Sequence, residues 1–115
     1  IVPVPLSKRK LRQRGYNQAE LIARHLFDSE NNLLWGGNVL AKIKETKSQV
    51  EVKNKEERLA NIIGSFKIEK PEKVMGKKII LIDDVYTTGA TMSEAKKVLK
   101  SAGAKKVIGV VVARG

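Results

Sequence analysis

Two continuous apolar runs dominate the carboxyl-terminal half of the chain, Ile79–Ile82 and Val107–Val112, each preceded by lysine. Runs of this length without polar alternation suit strands buried on both faces of a parallel sheet. Between them, Ser93–Ala102 reads as a helix that stops at Gly103, a natural residue for the position after a helix end. The amino-terminal half is less regular. Ile1–Pro5 reads as a short strand ended by its prolines, which cannot donate to a central ladder. Ser7–Gly15 reads as a solvated basic loop, with Lys8, Arg9, Lys10, Arg12 and Arg14 in nine residues. Asn17 is a candidate helix cap with Glu20 three positions on, and the helix that follows, Gln18–Phe27, gathers Ala19, Ile22, Ala23 and Leu26 on one face. Val39–Ile43 and Ser65–Ile68 read as further strands, Glu56–Asn61 as a short helix, Glu69–Lys78 as a charged turn, and Lys44–Lys55 as an exposed polar loop.

Strands alternating with helices imply an α/β domain: a Rossmann-like parallel sheet of about five strands flanked by helices. Ile79–Val112 then forms a β–α–β crossover, and ligands in such sheets bind at the carboxyl ends of the strands. That rule directs attention to Asp83 onward. At 115 residues the chain holds one domain, 1–115. It opens at Ile1 directly into an apolar stretch, so a fragment of a longer chain is expected.

Composition narrows the partners. No run is long enough to span a bilayer, no export signal is visible, and the absence of cysteine excludes disulfides and thiolate metal sites. A cytoplasmic location is expected. Lys and Arg number 23 against 12 Asp and Glu, a formal net charge of +11. That excess favours polyanions, whether nucleic acid, an anionic surface or a phosphate-rich small molecule.

The segment after the first apolar run reads Asp83-Asp84-Val85-Tyr86-Thr87-Thr88-Gly89-Ala90-Thr91-Met92. Thr87, Thr88 and Thr91 offer hydroxyls, while Gly89 and Ala90 let backbone amides approach an anion closely. A helix beginning near Thr91 adds its unpaired amides and the positive end of its dipole. Two carboxylates beside such a cradle would repel an anion unless they accept bonds from vicinal hydroxyls or hold Mg²⁺ through water. A ribose 5-phosphate satisfies both halves. The alternative is a strand-end turn with Thr91 as an ordinary cap.

Ile79–Met92 resembles the binding motif for 5-phosphoribosyl-1-diphosphate (PRPP) of type I phosphoribosyltransferases. Val2-Pro3-Val4-Pro5, Arg12, Arg14-Gly15-Tyr16-Asn17-Gln18, Glu57-Arg58-Leu59-Ala60-Asn61, Phe66 and Ala113-Arg114-Gly115 extend the resemblance to the competence protein ComF family, also called amidophosphoribosyltransferase-like. The resemblance implies a type I core in which Asp83 and Asp84 contact the ribose hydroxyls and Thr87–Thr91 the 5-phosphate. It implies that Arg12, Arg14 and the Gly15 backbone face the diphosphate. It also makes Lys44–Lys55 a closing catalytic loop, with Lys44 or Lys47 stabilising departing diphosphate. Members often carry a cysteine-rich zinc module upstream, which these residues lack; no base-binding hood is legible either.

Two functions follow from the resemblance. One is Mg²⁺-dependent transfer of phosphoribose between PRPP and a nitrogen nucleophile, an activity of nucleotide metabolism. The other is a non-catalytic PRPP-binding protein of DNA uptake during natural transformation. Single-stranded DNA, competence-machinery proteins and a second copy of the chain stay open as partners. His25, without ligating neighbours in sequence, and Trp35, Phe27 and Phe66 read as structural; Tyr86 is the aromatic residue nearest the expected ligand.

Overall fold

The computed structural model describes residues 1–30, 32–44, 55–86 and 89–114. Among these residues, five strands and four α-helices follow in the order β1 (Val2–Pro3), α1 (Lys8–Arg14), α2 (Gln18–Ser29), β2 (Leu40–Lys42), α3 (Lys55–Ile62), β3 (Phe66–Ile68), β4 (Lys78–Tyr86), α4 (Ala90–Ser101) and β5 (Lys106–Arg114), with a short 3₁₀ turn at Pro71–Lys73. The α/β class stands. The five strands, however, divide into a parallel sheet in the order β1-β4-β5 and an antiparallel pair, β2-β3.

β4 is the central strand, pairing with β1 through Val2↔Leu81 and Pro3↔Ile82, and with β5 from Lys78↔Lys106 to Tyr86↔Arg114. Alternation sends Ile79 and Leu81 to one face, where they join Met92, Ala95 and Leu99 of α4 in the core. A side chain at Gly109 of β5 would meet Met92 and Lys96 within 3.0 Å, so glycine there lets α4 lie close on the sheet. Ile80 and Ile82 point to the opposite face, where α2 lies over β4 and β1. The antiparallel pair packs against the flank of α4 and contributes Leu40 and Phe66 to the core.

The expectation for α2 holds in its cap and partly in its face. Asn17 Oδ1 accepts the Ala19 amide at 3.1 Å, while Glu20 turns to Arg24 at 4.0 Å. Ala19 and Ala23 are buried, small enough for the helix to approach Ile82, but Leu26 is 37% exposed. Phe27 holds the last turn instead, packing on Trp35 with ring centroids 5.6 Å apart.

Ser7–Gly15 is a helix rather than a loop. Ser7 Oγ accepts the Lys10 amide at 3.3 Å, and Gly15, at φ 80°, closes the end by donating to the Leu11 carbonyl. Arg12 and Arg14 sit in the last turn, where cations complement the helix dipole. Caps and dipole make a helix of a stretch whose charge density suggested a solvated loop.

Leu81 is fully buried at the centre of the sheet, so Leu81→Ala should cost about 2–5 kcal/mol. Leu21→Ala, at a site 55% exposed, should change stability by less than about 0.5 kcal/mol. Urea denaturation of both variants checks the ranking.

Candidate functional site

The two aspartates lie inside β4 rather than just beyond it, because β5 is long enough to pair Asp83 with Val111 and Tyr86 with Arg114. On the other side the ladder stops. Val4 N–H donates to Ile82 O at 2.8 Å, and the next parallel rung would join Asp84 N–H to Val4 O. Both groups are taken by side chains instead. Asn17 Nδ2 donates to Val4 O at 3.1 Å, and Asp84 N–H donates to Asp83 Oδ1 at 2.9 Å. The carboxyl end of β4 is therefore open on its β1 side at the two acids, and one asparagine both caps α2 and ends the ladder.

Burial acts on Asp83 first, disfavouring its charged form, and a hydrogen bond to the Asp84 side chain and that side chain's charge act in the same direction. The Asp84 amide and the charge of Lys42 oppose them only in part. The result is a carboxyl pushed up from 3.8 to about 7. A partly buried carboxyl beside a second one suits a site completed by hydroxyl donors or a cation.

Five residues after Asp84 in the same motif, Gly89 opens α4 at φ 81°, a left-handed conformation that favours glycine. The N-cap glycine has no side chain of its own to offer this helix end, and Ser93 N–H donates to Gly89 O at 2.8 Å. Ala90 and Thr91 lie in the first turn of α4, so Thr91 is neither the helix start nor its cap. Thr87 and Thr88 lie outside the described residues. Val85 and Tyr86 are placed in β4 by their backbone pairing. Across α4, buried Glu94 accepts Gly64 N–H at 3.3 Å and pairs with Lys97 at 3.3 Å, tying the turn before β3 to the helix.

The expected basic groups are less concentrated. Asn17 draws the residues after α1 back to the carboxyl end of β1, on the aspartates' side of the sheet. Among the described residues no hydrogen bond or ion pair joins Arg12, Arg14 or Gly15 to Asp83 or Asp84. Lys44 donates to Ile63 O at 3.4 Å. Lys47 and most of the expected catalytic loop, residues 45–54, lie outside the described residues. The lysine whose charge reaches Asp83 is Lys42 on β2. Its position in a short strand beside the core carried no chemical signature, and only the pairing of β2 could have singled it out.

The family model described as phosphoribosyl transferase domain matches residues 11–115. The chain belongs to this family. It is 33% identical over 112 residues to competence protein F of Haemophilus influenzae, covering 93% of the chain and 46% of that protein. It is 40% identical over 107 residues to competence protein ComFC of Streptococcus pneumoniae, covering 92% and 44%. It is 32% identical over 107 residues to DNA utilization protein YhgH of Escherichia coli, covering 93% and 45%. The chain thus spans less than half the length of these curated relatives. No solved structure matches it significantly. The likeness to the ComF proteins reached from the motifs stands, and the parallel sheet with flanking helices is the architecture expected of the phosphoribosyl transferase family.

The raised Asp83 carboxyl has a consequence for stability. Between pH 3.8 and about 7 the folded state holds a proton that the unfolded state has released, so stability falls as pH rises through this window. Asp83→Asn removes that loss. Its melting temperature should match the parent's near pH 4 and exceed it by several degrees at pH 8, as differential scanning calorimetry would show.

Proposed function

We propose that the domain binds PRPP with Mg²⁺ and transfers phosphoribose between PRPP and a nitrogen nucleophile. The observation that carries this reading is the paired carboxyls of Asp83 and Asp84 on the open end of β4, directly before the glycine-started helix α4. Asp83 and Asp84 orient the ribose by accepting its 2- and 3-hydroxyls. The segment Thr87–Thr91, with the first turn of α4, holds the 5-phosphate through hydroxyls and amides. Arg12 and Arg14 pair with diphosphate oxygens, with the Gly15 amide beside them. Lys44 and Lys47 add charge as diphosphate leaves.

The donor set fits Mg²⁺, which keeps several waters and commonly takes one or two carboxylates together with substrate phosphates. When bound, the ion neutralises diphosphate charge. The protein's contribution is to fix the sugar, exclude water and stabilise the charge that develops as the bond from C1 to diphosphate oxygen breaks and a bond from C1 to nitrogen forms. The nucleophile's proton passes to solvent or to diphosphate. The domain works in the cytoplasm, in nucleotide metabolism.

A second reading rests on the names of the relatives, competence protein and DNA utilization protein. There the PRPP pocket serves binding or sensing in DNA uptake, and the exposed basic residues of α1 contact single-stranded DNA or a competence protein. No helix among the described residues is long and apolar enough to cross a membrane.

Calorimetric titration of PRPP with Mg²⁺ should give saturable binding to the parent, and Asp83→Ala/Asp84→Ala should weaken it about 100-fold or more. Unchanged binding by the double variant would remove the site from the reading. Diphosphate release on addition of purine, pyrimidine or amine acceptors separates the enzyme from the binding protein. Salt-dependent single-stranded DNA binding that Arg12→Ala/Arg14→Ala weakens would favour the second reading.

A further inference from the structure

At the end of the sheet remote from Asp83, a cavity of about 470 Å³ opens between the start of β4 and the segment before β2. Its volume lies in the range of small-molecule sites. Ligands of α/β sheets ordinarily bind at the strands' carboxyl ends, so the phosphoribose site does not account for it. The walls combine two kinds of surface. Leu33, Trp35, Val39 and Ile79 supply an apolar floor, while Lys73, Lys77 and Lys78 stand at its rim.

The indole in this wall is held in place. Phe27 packs against it at 5.6 Å, and the Arg24 guanidinium lies 4.1 Å from its centroid. Gly37 allows the fit, since a side chain there would meet the indole edge within 2.6 Å. An aromatic wall fixed before binding loses little freedom when a ligand arrives.

The three lysines are exposed, and among the described residues none forms an ion pair. Lys73 donates to a neutral acceptor, Asn38 Oδ1, at 3.2 Å. Glu72 is the single carboxylate in the lining, which leaves the rim with net positive charge. A neutral apolar ligand would use only the floor, and a small polyanion would leave it empty. A molecule with both characters uses all of it.

We propose that this cavity binds a small amphipathic anion, with an aliphatic or aryl body against Trp35 and one carboxylate, sulfonate or phosphate head at Lys77 and Lys78. The site is separate from the PRPP site and independent of its reading.

Trp35 is the chain's single tryptophan, so it reports on the site directly. The probes are 8-anilinonaphthalene-1-sulfonate, followed by energy transfer from Trp35, with octanoate and 1-octanol as competitors below micelle-forming concentrations. Octanoate should displace the dye about tenfold more effectively than octanol. Lys77→Ser/Lys78→Ser should weaken octanoate about five- to tenfold while leaving octanol unchanged, and Lys77→Arg/Lys78→Arg should keep parental affinity. Both variants change exposed side chains, and unaltered melting would show that they are folded. Octanoate binding should persist in Asp83→Ala/Asp84→Ala. Absence of energy transfer, equal competition by octanol, or parental octanoate affinity in the serine variant would overturn the proposal. Displacement of the dye by PRPP would do so as well.

Discussion

The parallel pairing of β4 with a very short strand on one side and a full-length strand on the other leaves the end of β4 open at its two carboxyls. β5 follows β4 through Tyr86, so the backbone that carries Asp83 and Asp84 stays extended and fixed. β1 accompanies β4 only as far as Ile82. Past that point Asn17 and Asp83 occupy the two groups that would have formed the next rung. A regular strand thus becomes, within two residues, an open edge with two carboxyls. The apolar residues just before them, Leu81 and Ile82, are fully buried, so the two acids stand directly on the core.

That placement has an electrostatic cost. Partial burial, with the Asp84 side chain beside it, pushes Asp83 toward its neutral form, and the Asp84 amide and Lys42 offset this only in part. A fold selected for stability alone would place a neutral pair there. Such tension is common where a ligand completes the charge balance, and here the motif that carries the pair runs on into a helix whose N-cap is a glycine. In the proposed function the acids and the helix end are complementary parts: one would accept hydroxyls or a cation, the other would receive an anion.

Much of this was legible from residues. Continuous apolar runs located β4 and β5, and Asn17 and Gly103 marked the ends of helices as expected. The Asp-Asp to Thr motif placed the acids and α4 in the right order. What escaped depended on context. Five basic residues among nine concealed the Ser7 and Gly15 caps that make α1 a helix. The reach of β4 through the acids depends on its partner, since nothing in Asp83-Asp84 itself favours a strand. Division into two sheets reflects pairing between β2 and β3, which short strands of weak alternation do not reveal. Lys42 and Glu94 gained their roles from neighbours distant in sequence. The phosphoribosyl transferase match supports the architecture.

The central claim, that the end of β4 and the start of α4 form one ligand site, is tested most directly by following backbone amide resonances while PRPP and Mg²⁺ are added. The account predicts that the largest changes fall at Asp83, Asp84 and Gly89 through Met92, with the Trp35 indole unmoved. Changes confined to α1 or to Trp35, with the amides of Asp84 and Gly89 undisturbed at saturation, would contradict it.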